Sequence, residues 1–386
     1  MIRYVTAGES HGRQLTVIIE GIPAGLKLNP EDINRDLARR QMGFGRGQRM
    51  AIEKDSVEFM GGVRLGETIG SPICMVVKNR DWENWKDLMS SGSSLADPKQ
   101  FLLKPRPGHA DLAGIMKYSR KDIRDVLERA SARETAARVC AGAVCKKLIN
   151  EFGIAVISYT SEISGIKADV KNLDFKKIII FSEKSDIRTP DPKAEKKMVD
   201  IISKAASKGD TVGGVFTIIA RKVPVGLGSY TQWDLRLDGN MARSLMSIQA
   251  IKAVEFGLGY NYSSVPGSKA HDEIFYSKAK GFYRNTNNAG GIEGGVSNGE
   301  DIVVSCVMKP IPSLVKPLRS VNIQTKRSDT AEAVRSDVCA VPAAGVVGEA
   351  AVAFELAKAL KEKFGGDSLV EIKSNINAYL ENLKRF

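Results

Sequence analysis

Residues 8–26 read GESHGRQLTVIIEGIPAGL, and residues 209–227 read GDTVGGVFTIIARKVPVGL. The two stretches align without gaps at a separation of 201 residues, and seven of nineteen positions are identical. Each consists of a glycine turn, a β-branched strand and a Pro-x-Gly turn that ends the strand. A repeat separated by half the chain predicts duplication of a sheet-and-helix unit, because solenoid units recur at shorter periods. We expect it to relate about residues 8–27 to about 209–228.

A second, weaker repeat links residues 66–79 with residues 295–310. Both begin with a glycine turn and continue as a strand rich in Val, Ile and Met. Chance similarity between turn–strand–turn units is the alternative to duplication. The stronger repeat is chemically asymmetric, because His11 of the first copy corresponds to Val212 of the second. Valine in the second copy indicates that the fold does not require a histidine there.

Helix signals separate the strands, each with a capping residue or an amphipathic pattern. The predicted helices start at Pro30, Ser131 and Pro192, and two more cover residues 349–364 and 369–383. The second opens with a capping box, SARE, and is rich in Ala and Gly, which predicts close packing against another element. Helices alternating with strand–turn–strand runs favour an α/β or α+β class with antiparallel sheets.

Composition limits the kind of protein. With 386 residues, 43% of them hydrophobic and 26% charged, the chain has an ordinary globular composition and room for one large domain or two modest ones. It shows no transmembrane run and no signal pattern, so we expect a cytoplasmic protein without a membrane partner. The five cysteines are scattered without C-x-x-C spacing, which argues against a metal site or a disulfide framework.

Two of the three histidines, His11 and His109, lie in the glycine-flanked segments GESHG (8–12) and RPGHAD (106–111). Glycines let a ligand approach the backbone, and imidazole titrates near neutral pH, so both histidines are candidate acids. An exposed, idle histidine is the alternative for either segment alone. His271 has the setting of a surface residue.

Arginines gather around glycine loops and add to a formal net charge of +12. Residues 39–49, RRQMGFGRGQR, predict a tight, glycine-rich loop whose guanidinium groups can converge and bind phosphate or carboxylate through two parallel hydrogen bonds. Residues 129–135, RASARET, place two arginines at a helix start, which also favours anions. An RG-rich nucleic-acid segment and an ordinary capped helix are the alternatives. The nucleic-acid alternative for residues 39–49 is disfavoured, because this loop lies within a structured run. We therefore expect an enzyme acting on a phosphorylated small molecule, with no nucleic-acid partner.

Taken in order, eight segments resemble those of the chorismate synthase family, over most of the chain. They are GESHG (8–12), RQMGFGRGQR (40–49), RPGHAD (106–111), RASARET (129–135), MSIQA (246–250), residues 288–299, KPIPS (309–313) and RSD (335–337). Each motif is weak alone, but eight in the family's order make coincidence a poor explanation.

The resemblance implies a lyase that converts 5-enolpyruvylshikimate 3-phosphate into chorismate and phosphate by anti-1,4-elimination, the last common step of aromatic amino-acid biosynthesis. It implies reduced FMN as cofactor, without net redox change, and NADPH only as a possible source of reducing equivalents. It also implies a single domain over residues 1–386, an α+β layered sandwich of antiparallel sheets and helices with internal pseudo-duplication, and a homotetramer.

The family's functional residues map onto this chain position by position. His11 would act on the departing phosphate, His109 would lie by the flavin, and Asp337 would assist removal of the ring proton. The implied substrate-binding residues are Ser10, Arg40, Arg46, Arg49, Arg106, Ser131 and Arg133. The implied flavin-binding residues are Arg129, Ala130, Ser131, Gln249, Ala250, Gly294, Lys309, Pro310, Ile311, Pro312, Ser313 and Arg335.

Three positions depart from the usual family pattern. Ala130 stands where Ser is common, Gln249 where Asn is common, and Val338 where Pro follows the Arg-Ser-Asp run. All three spare the implied catalytic groups, so they bear on flavin affinity more than on activity. The chain shows no added segment for reducing its own flavin, which favours an outside reductant.

Overall fold

A computed structural model describes residues 1–47, 54–92, 98–316, 318–331 and 337–385. The strands are β1 (Arg3–Ala7), β2 (Gln14–Glu20), β3 (Val57–Gly61), β4 (Val63–Arg64), β5 (Glu67–Thr68), β6 (Ile73–Lys78), β7 (Ala155–Ile163), β8 (Ile166–Lys167), β9 (Gly214–Arg221), β10 (Ile251–Phe256), β11 (Ile274–Ser277), β12 (Gly281–Arg284), β13 (Ile292–Glu293), β14 (Val296–Ser297), β15 (Ile302–Met308), β16 (Arg319–Val321) and β17 (Ser328–Thr330). The helices are α1 (Pro30–Gln41), α2 (Trp82–Trp85), α3 (Asp111–Tyr118), α4 (Arg124–Ala130), α5 (Thr135–Asn150), α6 (Phe175–Lys184), α7 (Pro192–Ser207), α8 (Leu237–Met246), α9 (Gly267–Ala270), α10 (Val341–Phe364) and α11 (Leu369–Leu383).

Two antiparallel sheets contain the strands of the sequence repeat. Sheet A has the order β1-β2-β6-β3, and sheet B has the order β10-β15-β9-β7-β8. In sheet A, Ile19 of β2 lies opposite Ile73 of β6. In sheet B, Ala220 of β9, which is 201 residues after Ile19, lies opposite Ile302 of β15. Both sheets therefore pair the repeated strands in the same register, as a duplication predicts, although the duplication itself stays a prediction.

Two long helices lie on these sheets and pack against each other. Helix α5 packs on β2 of sheet A, and α10 packs on β7 and β9 of sheet B. At their contact a Cβ added to Gly142 of α5 would collide with Ala350 of α10. The small residues of α5 thus give the close packing that the sequence predicts. Helix α1 packs against both helices.

A buried ion network joins this helix pair to its neighbours. The carboxylate of Glu349 on α10 is fully buried and accepts hydrogen bonds from Arg39 at 2.7 and 2.8 Å and from Lys146 at 2.7 Å. It also accepts the backbone N–H of Ser158 in β7 at 2.8 Å. These cations hold the pKa of Glu349 far below its usual range despite burial. The network orients α1, which carries Arg40 next to Arg39 in the sequence.

The predicted secondary structure is confirmed in class and in most helix positions. Helices begin at Pro30 and Pro192, and Asp191 caps the latter by accepting the backbone N–H groups of Lys193 and Ala194. The helix predicted from residue 349 starts earlier, at Val341. The described residues combine helices with antiparallel sheets, as expected.

The predicted capping box at Ser131 is wrong. Ser131 Oγ accepts the backbone N–H of Arg133 at 3.3 Å, a short 3-10 turn follows, and α5 begins only at Thr135. The Glu134 side chain, expected to return to the backbone of Ser131, accepts instead from Thr6 at 2.9 Å and Arg138 at 2.9 Å. A charged donor and a hydroxyl compete for this carboxylate against a single backbone N–H, and they form stronger hydrogen bonds.

One continuous apolar cluster includes residues from both sheets and from the α5–α10 pair. Four of the five cysteines are buried in the protein, and all five are free thiols. In the segments that the structure describes, no helix combines the length and the apolar character that crossing a bilayer requires.

Candidate functional site

The loop between β1 and β2 carries Ser10 and His11. Ser10 is buried, and its backbone N–H donates to the carbonyl of Glu128 at 3.0 Å. Ser131 Oγ donates to Ser10 Oγ at 3.2 Å. From the other side, Asn79 donates through Nδ2 to the carbonyl of Gly12 at 2.6 Å. The loop is thus held from two sides, by Glu128 and Ser131 on one and by Asn79 on the other.

The imidazole of His11 lies against a carboxylate and an indole. Its Nδ1 is 2.9 and 3.0 Å from the two carboxylate oxygens of Glu128. The His11 backbone N–H also donates to Glu128 Oε2, at 2.7 Å. The ring stacks on Trp85, with centroids 3.9 Å apart and planes 24° apart. Contacts to the edge and to one face of the ring therefore determine how the imidazole lies.

A buried cluster of two arginines and one carboxylate lies next to this loop. Nη1 of Arg133 is 2.6 and 2.7 Å from the two oxygens of Asp55, and its Nε donates to Asn79 Oδ1 at 3.0 Å. Arg40 shares Asp55 through Nη1 at 3.6 Å and donates to Thr135 Oγ1 at 2.9 Å. Burial, together with the neighbouring Arg133, lowers the pKa of Arg40 to about 10. The guanidinium of Arg40 thus remains charged at pH 7.

The Arg46 loop extends the cluster towards Asp337. Nη1 of Arg46 is 2.8 Å from Asp337 Oδ2, and the Gly47 backbone N–H donates to Asp337 Oδ1 at 2.6 Å. The backbone N–H of Val338 donates to the Gly45 carbonyl at 2.7 Å. Among the described residues of this cluster, three arginines, Arg40, Arg46 and Arg133, therefore meet two carboxylates, so one positive charge is in excess.

His109 lies in a second set of contacts, at the start of α3. Its Nε2 is 2.9 Å from Ser313 Oγ. Arg106 forms two parallel hydrogen bonds with the buried Asp111, at 2.8 and 3.0 Å. Lys309 Nζ donates to the carbonyl of Gly108 at 2.6 Å. These contacts link the segment after β6, which contains His109, to the segment after β15, which contains Lys309 and Ser313.

The surroundings of His109 disfavour a charged imidazole. Burial, and then the positive charges of Arg106 and Lys309, lower the pKa of His109 to about 4, while Asp111 opposes the shift. The imidazole is therefore neutral at pH 7. This corrects the expectation that both histidines are acids near neutral pH, because the sequence does not show how deeply His109 is buried. A neutral imidazole still has one N–H to donate.

Several of the expected flavin-binding residues form a chain of contacts. Arg129 donates to Thr6 Oγ1 at 2.8 Å and to the carbonyl of Gly8 at 3.0 Å. Thr6 in turn donates to Glu134 at 2.9 Å, and Gln249 donates to the same carboxylate at 3.3 Å. The chain continues through Ala250, whose carbonyl accepts the backbone N–H of Lys309 at 3.0 Å, to the His109 loop.

Other expected cofactor residues occupy more varied positions. Pro312 lies against Gly108, and the carbonyl of Ile311 accepts from Thr211 Oγ1 at 2.7 Å. Ala130 and Pro310 are exposed. Gly294 is exposed in the turn between β13 and β14, in a different segment of the chain from residues 309–313.

Comparison with known proteins supplies the family. The family model for chorismate synthase matches residues 2–360. The chain belongs to this family. It is 60% identical over 384 residues to the chorismate synthase of Endomicrobium trichonymphae and 55% identical over 393 aligned positions to that of Geobacter sulfurreducens, with 100% of each chain covered. The chain also resembles a solved chorismate synthase crystal structure, with a TM-score of 0.81 and 42% identity over 100% of this chain and 99% of that one. The expected family and enzyme class are confirmed.

Within this chorismate synthase family member, the structure brings most of the expected site residues into two groups. Ser10, His11, Arg40, Arg46, Ser131, Arg133 and Asp337 belong to the first group, and Arg106, His109, Lys309, Pro312 and Ser313 belong to the second. Arg49 and Arg335 lie outside the described residues. The individual roles of these residues stay predictions.

The sequence motifs missed four residues that contact the candidate site residues. Glu128 and Trp85 contact His11, while Asp55 and Asn79 hold Arg133. Asp55 and Asn79 stand outside any glycine loop, and Trp85 lies in a short helix. Only Glu128 offered a signal, because it immediately precedes the RASARET segment.

Proposed function

We propose that this chain converts 5-enolpyruvylshikimate 3-phosphate into chorismate and phosphate by anti-1,4-elimination, with reduced FMN bound. The observation that carries the proposal is the contact between two clusters. The Ser10–His11 loop, a candidate proton donor, is joined through Asn79 to the buried Arg133–Asp55–Arg40 cluster, a candidate anion site. The chain's membership of the chorismate synthase family, and the chemistry of that family, support this reaction.

Substrate binding falls to the arginines. Arg40, Arg46 and Arg133 supply guanidinium groups that can bind phosphate and carboxylate through paired hydrogen bonds. Asp55 and Asp337 hold these groups in place and offset part of their mutual repulsion. The remaining positive charge, with Arg49 and Arg106 as further proposed contacts, suits a substrate that carries one phosphate and two carboxylates.

Departure of phosphate places negative charge on the leaving oxygen. His11 donates a proton or a hydrogen bond to that oxygen, and Ser10 and Ser131 provide hydroxyl groups beside it. Stabilisation of the developing charge by preorganised donors is commonly a large contribution to catalysis. Asp337, held by Arg46, is proposed to assist removal of the ring proton.

The residues expected to hold FMN fit an anionic, polar group. A cavity of about 400 Å³ is lined by three arginines, Arg129, Arg138 and Arg243, and by two carboxylates, Glu134 and Glu355. Among the residues that the structure describes, the buried Oε1 of Gln249 has no hydrogen-bond partner, and a Cβ added at Gly294 would meet no atom within 4 Å. A hydrogen-bond donor of a ligand can pair with Oε1 of Gln249, and a ligand can approach the backbone of Gly294 closely. When bound, reduced FMN supplies electron density that helps expel phosphate.

His109, Lys309 and Ser313 would then contribute to the flavin side of the site. A neutral His109 donates a hydrogen bond without adding charge, while Lys309 and Arg106 provide the positive potential. The remaining flavin residues, including Ala130, Ile311 and Arg335, are proposed from the family pattern.

The finer features of the assembly are also proposals. Stacking of sheet A, α5, α10 and sheet B in that order supports a layered sandwich. The shared register of the repeated strands supports pseudo-duplication within one domain of residues 1–386. A homotetramer and a cytoplasmic location rest on the family resemblance and the sequence alone.

One anaerobic assay tests the proposed function. Purified protein, reduced FMN and 5-enolpyruvylshikimate 3-phosphate should give equimolar phosphate and chorismate, with no reductant consumed per turnover. Oxidised FMN should give no product. Reductant consumption in step with turnover would indicate a flavin oxidoreductase instead. Adding NADPH without an external reductase shows whether the chain reduces its own flavin, and we expect that it does not.

A further inference from the structure

Glu128 is a buried carboxylate whose ionic partner is a histidine. It lies on α4 with 2% of its surface exposed. Both of its oxygens lie within 3.0 Å of His11 Nδ1, and one also accepts the His11 backbone N–H. Among the described residues, no lysine or arginine lies within ion-pair distance of Glu128. Because an isolated buried carboxylate is costly, His11 is the group that compensates it.

This contact determines which ring nitrogen carries the proton. An ionised carboxylate can only accept hydrogen bonds, so Nδ1 must be protonated. Nε2, on the opposite edge of the ring, is then the atom that exchanges its proton. Donation from Nε2 in addition to Nδ1 requires that both ring nitrogens carry protons.

Two further contacts restrict the orientation of the ring. Trp85 stacks on one face of the imidazole at 3.9 Å, which limits rotation about the side-chain bonds. The guanidinium of Arg124 lies 5.6 Å from the Trp85 ring centroid and supports the indole. Ser10, next to His11, is fixed by the Glu128 backbone carbonyl. One residue thus holds both the loop and the side chain.

We propose that Glu128 is the positioning residue for His11: it accepts from Nδ1–H, so that the proton donated to the departing phosphate comes from Nε2. The inference rests on the proposed function. In the step, the C–O bond breaks with its electron pair on the phosphate oxygen, which receives the Nε2 proton. The pair of the ring C–H bond enters the new diene as that proton leaves to a base. His11 ends as a neutral imidazole with its Nδ1 proton, Glu128 remains a carboxylate, and Nε2 is reprotonated from solvent.

The kinetic test compares Glu128→Gln with a matched control, Glu9→Gln, which removes an exposed carboxylate from the same loop. We expect Glu128→Gln to lower kcat by roughly 10²-fold with KM within about twofold, since carboxylates behind functional imidazoles contribute between about 10- and 10⁴-fold. Glu9→Gln should retain wild-type kcat. Glu128→Asp, which keeps the charge, should recover part of the loss. A wild-type kcat in Glu128→Gln would overturn the proposal.

A double-mutant cycle separates positioning from a structural role. In a His11→Ala background, Glu128→Gln should cause no further loss of kcat, because its partner is already absent. A multiplicative loss would mean that Glu128 acts through the fold, and would overturn the proposal. If His11→Ala alone retained full activity, the proposed function of His11 would fail first.

A spectroscopic measurement tests the tautomer in the wild-type chain, independent of any variant's folding. Protein labelled with ¹⁵N-histidine contains only three imidazoles, which His→Ala variants can assign. The Nδ1 of His11 should give the shift of a protonated nitrogen, and Glu128→Asp should preserve it. An unprotonated Nδ1 in the wild-type protein would overturn the proposal even if the chorismate assay succeeds. A correct tautomer with no chorismate formed would leave the ring geometry intact and reject only the reaction.

Discussion

The loops around His11 and His109 look alike in sequence, but their environments have opposite charge. His11 lies 2.9 Å from the carboxylate of Glu128 and stacks on an indole. His109 lies among Arg106 and Lys309, with a hydroxyl as its direct partner. A carboxylate accepts from Nδ1 of His11, whereas burial and two cations disfavour a charged ring at His109. Two glycine-flanked imidazoles can therefore serve different chemistry, one at a leaving anion and the other beside a negatively charged cofactor.

The largest expected effect comes from removing either imidazole. His11→Ala removes the proposed proton donor and His109→Ala removes a neutral hydrogen-bond donor. Each should slow turnover by roughly 10²–10⁴ while the protein remains folded, the range covered by a lost acid–base group or a lost charge-stabilising donor. Single-turnover measurement of phosphate release checks this. His271→Ala is the matched control, because His271 is exposed and should be silent. Wild-type rates in either site variant would remove that histidine from the mechanism.

A smaller effect should appear in the pH dependence of stability. The folded pKa of His109, about 4, lies below its ordinary value of 6.5. Between these pH values the unfolded chain takes up a proton that the folded chain does not, so the folded state is destabilised as pH falls from about 6.5 to 4. His109→Gln should therefore lose less stability than wild type between pH 7 and pH 5 in urea unfolding. An unchanged slope would show that His109 titrates normally, and His271→Gln serves as the control.

The finest test concerns the cause of this shift. Arg106→Gln should raise the pKa of His109, because it removes a positive charge and leaves the negative charge of Asp111 uncompensated. Lys309→Gln should raise it by less, since Lys309 has a weaker effect than Arg106. NMR titration of the His109 ring gives both values. No shift in either variant would mean that burial alone sets the pKa and that the contrast with His11 is not one of charge. Equal shifts would contradict the ranking of the two cations.

Much of the fold follows from local signals. The helix starts at Pro30 and Pro192 are visible because proline and a capping side chain act within one turn. The strands of the repeat are visible because glycine turns bound them. The capping box at Ser131 failed because Thr6 and Arg138 draw the Glu134 side chain away, and Thr6 is distant in sequence.

The site was predictable only where a motif carries it. Ser10, Arg40 and Arg133 stand in recognisable segments, and the structure places them near one another. Their partners Asp55 and Asn79 lie outside any recognisable segment. A carboxylate or an amide outside a motif gives no local sign of the arginine that it contacts in the folded protein. The neutral state of His109 was likewise hidden, since burial is a property of the folded chain.

The close contact between Gly142 and Ala350 has a consequence for biosynthesis. These residues lie more than half the chain length apart, and α10 begins only at Val341. While the ribosome is still making the preceding segments, α5 has no partner for its small-residue face, and sheet B lacks the helix that covers it. The nascent chain thus exposes apolar surface until α10 has been made, a state prone to aggregation. Chaperone dependence should consequently fall sharply once α10 has left the exit tunnel.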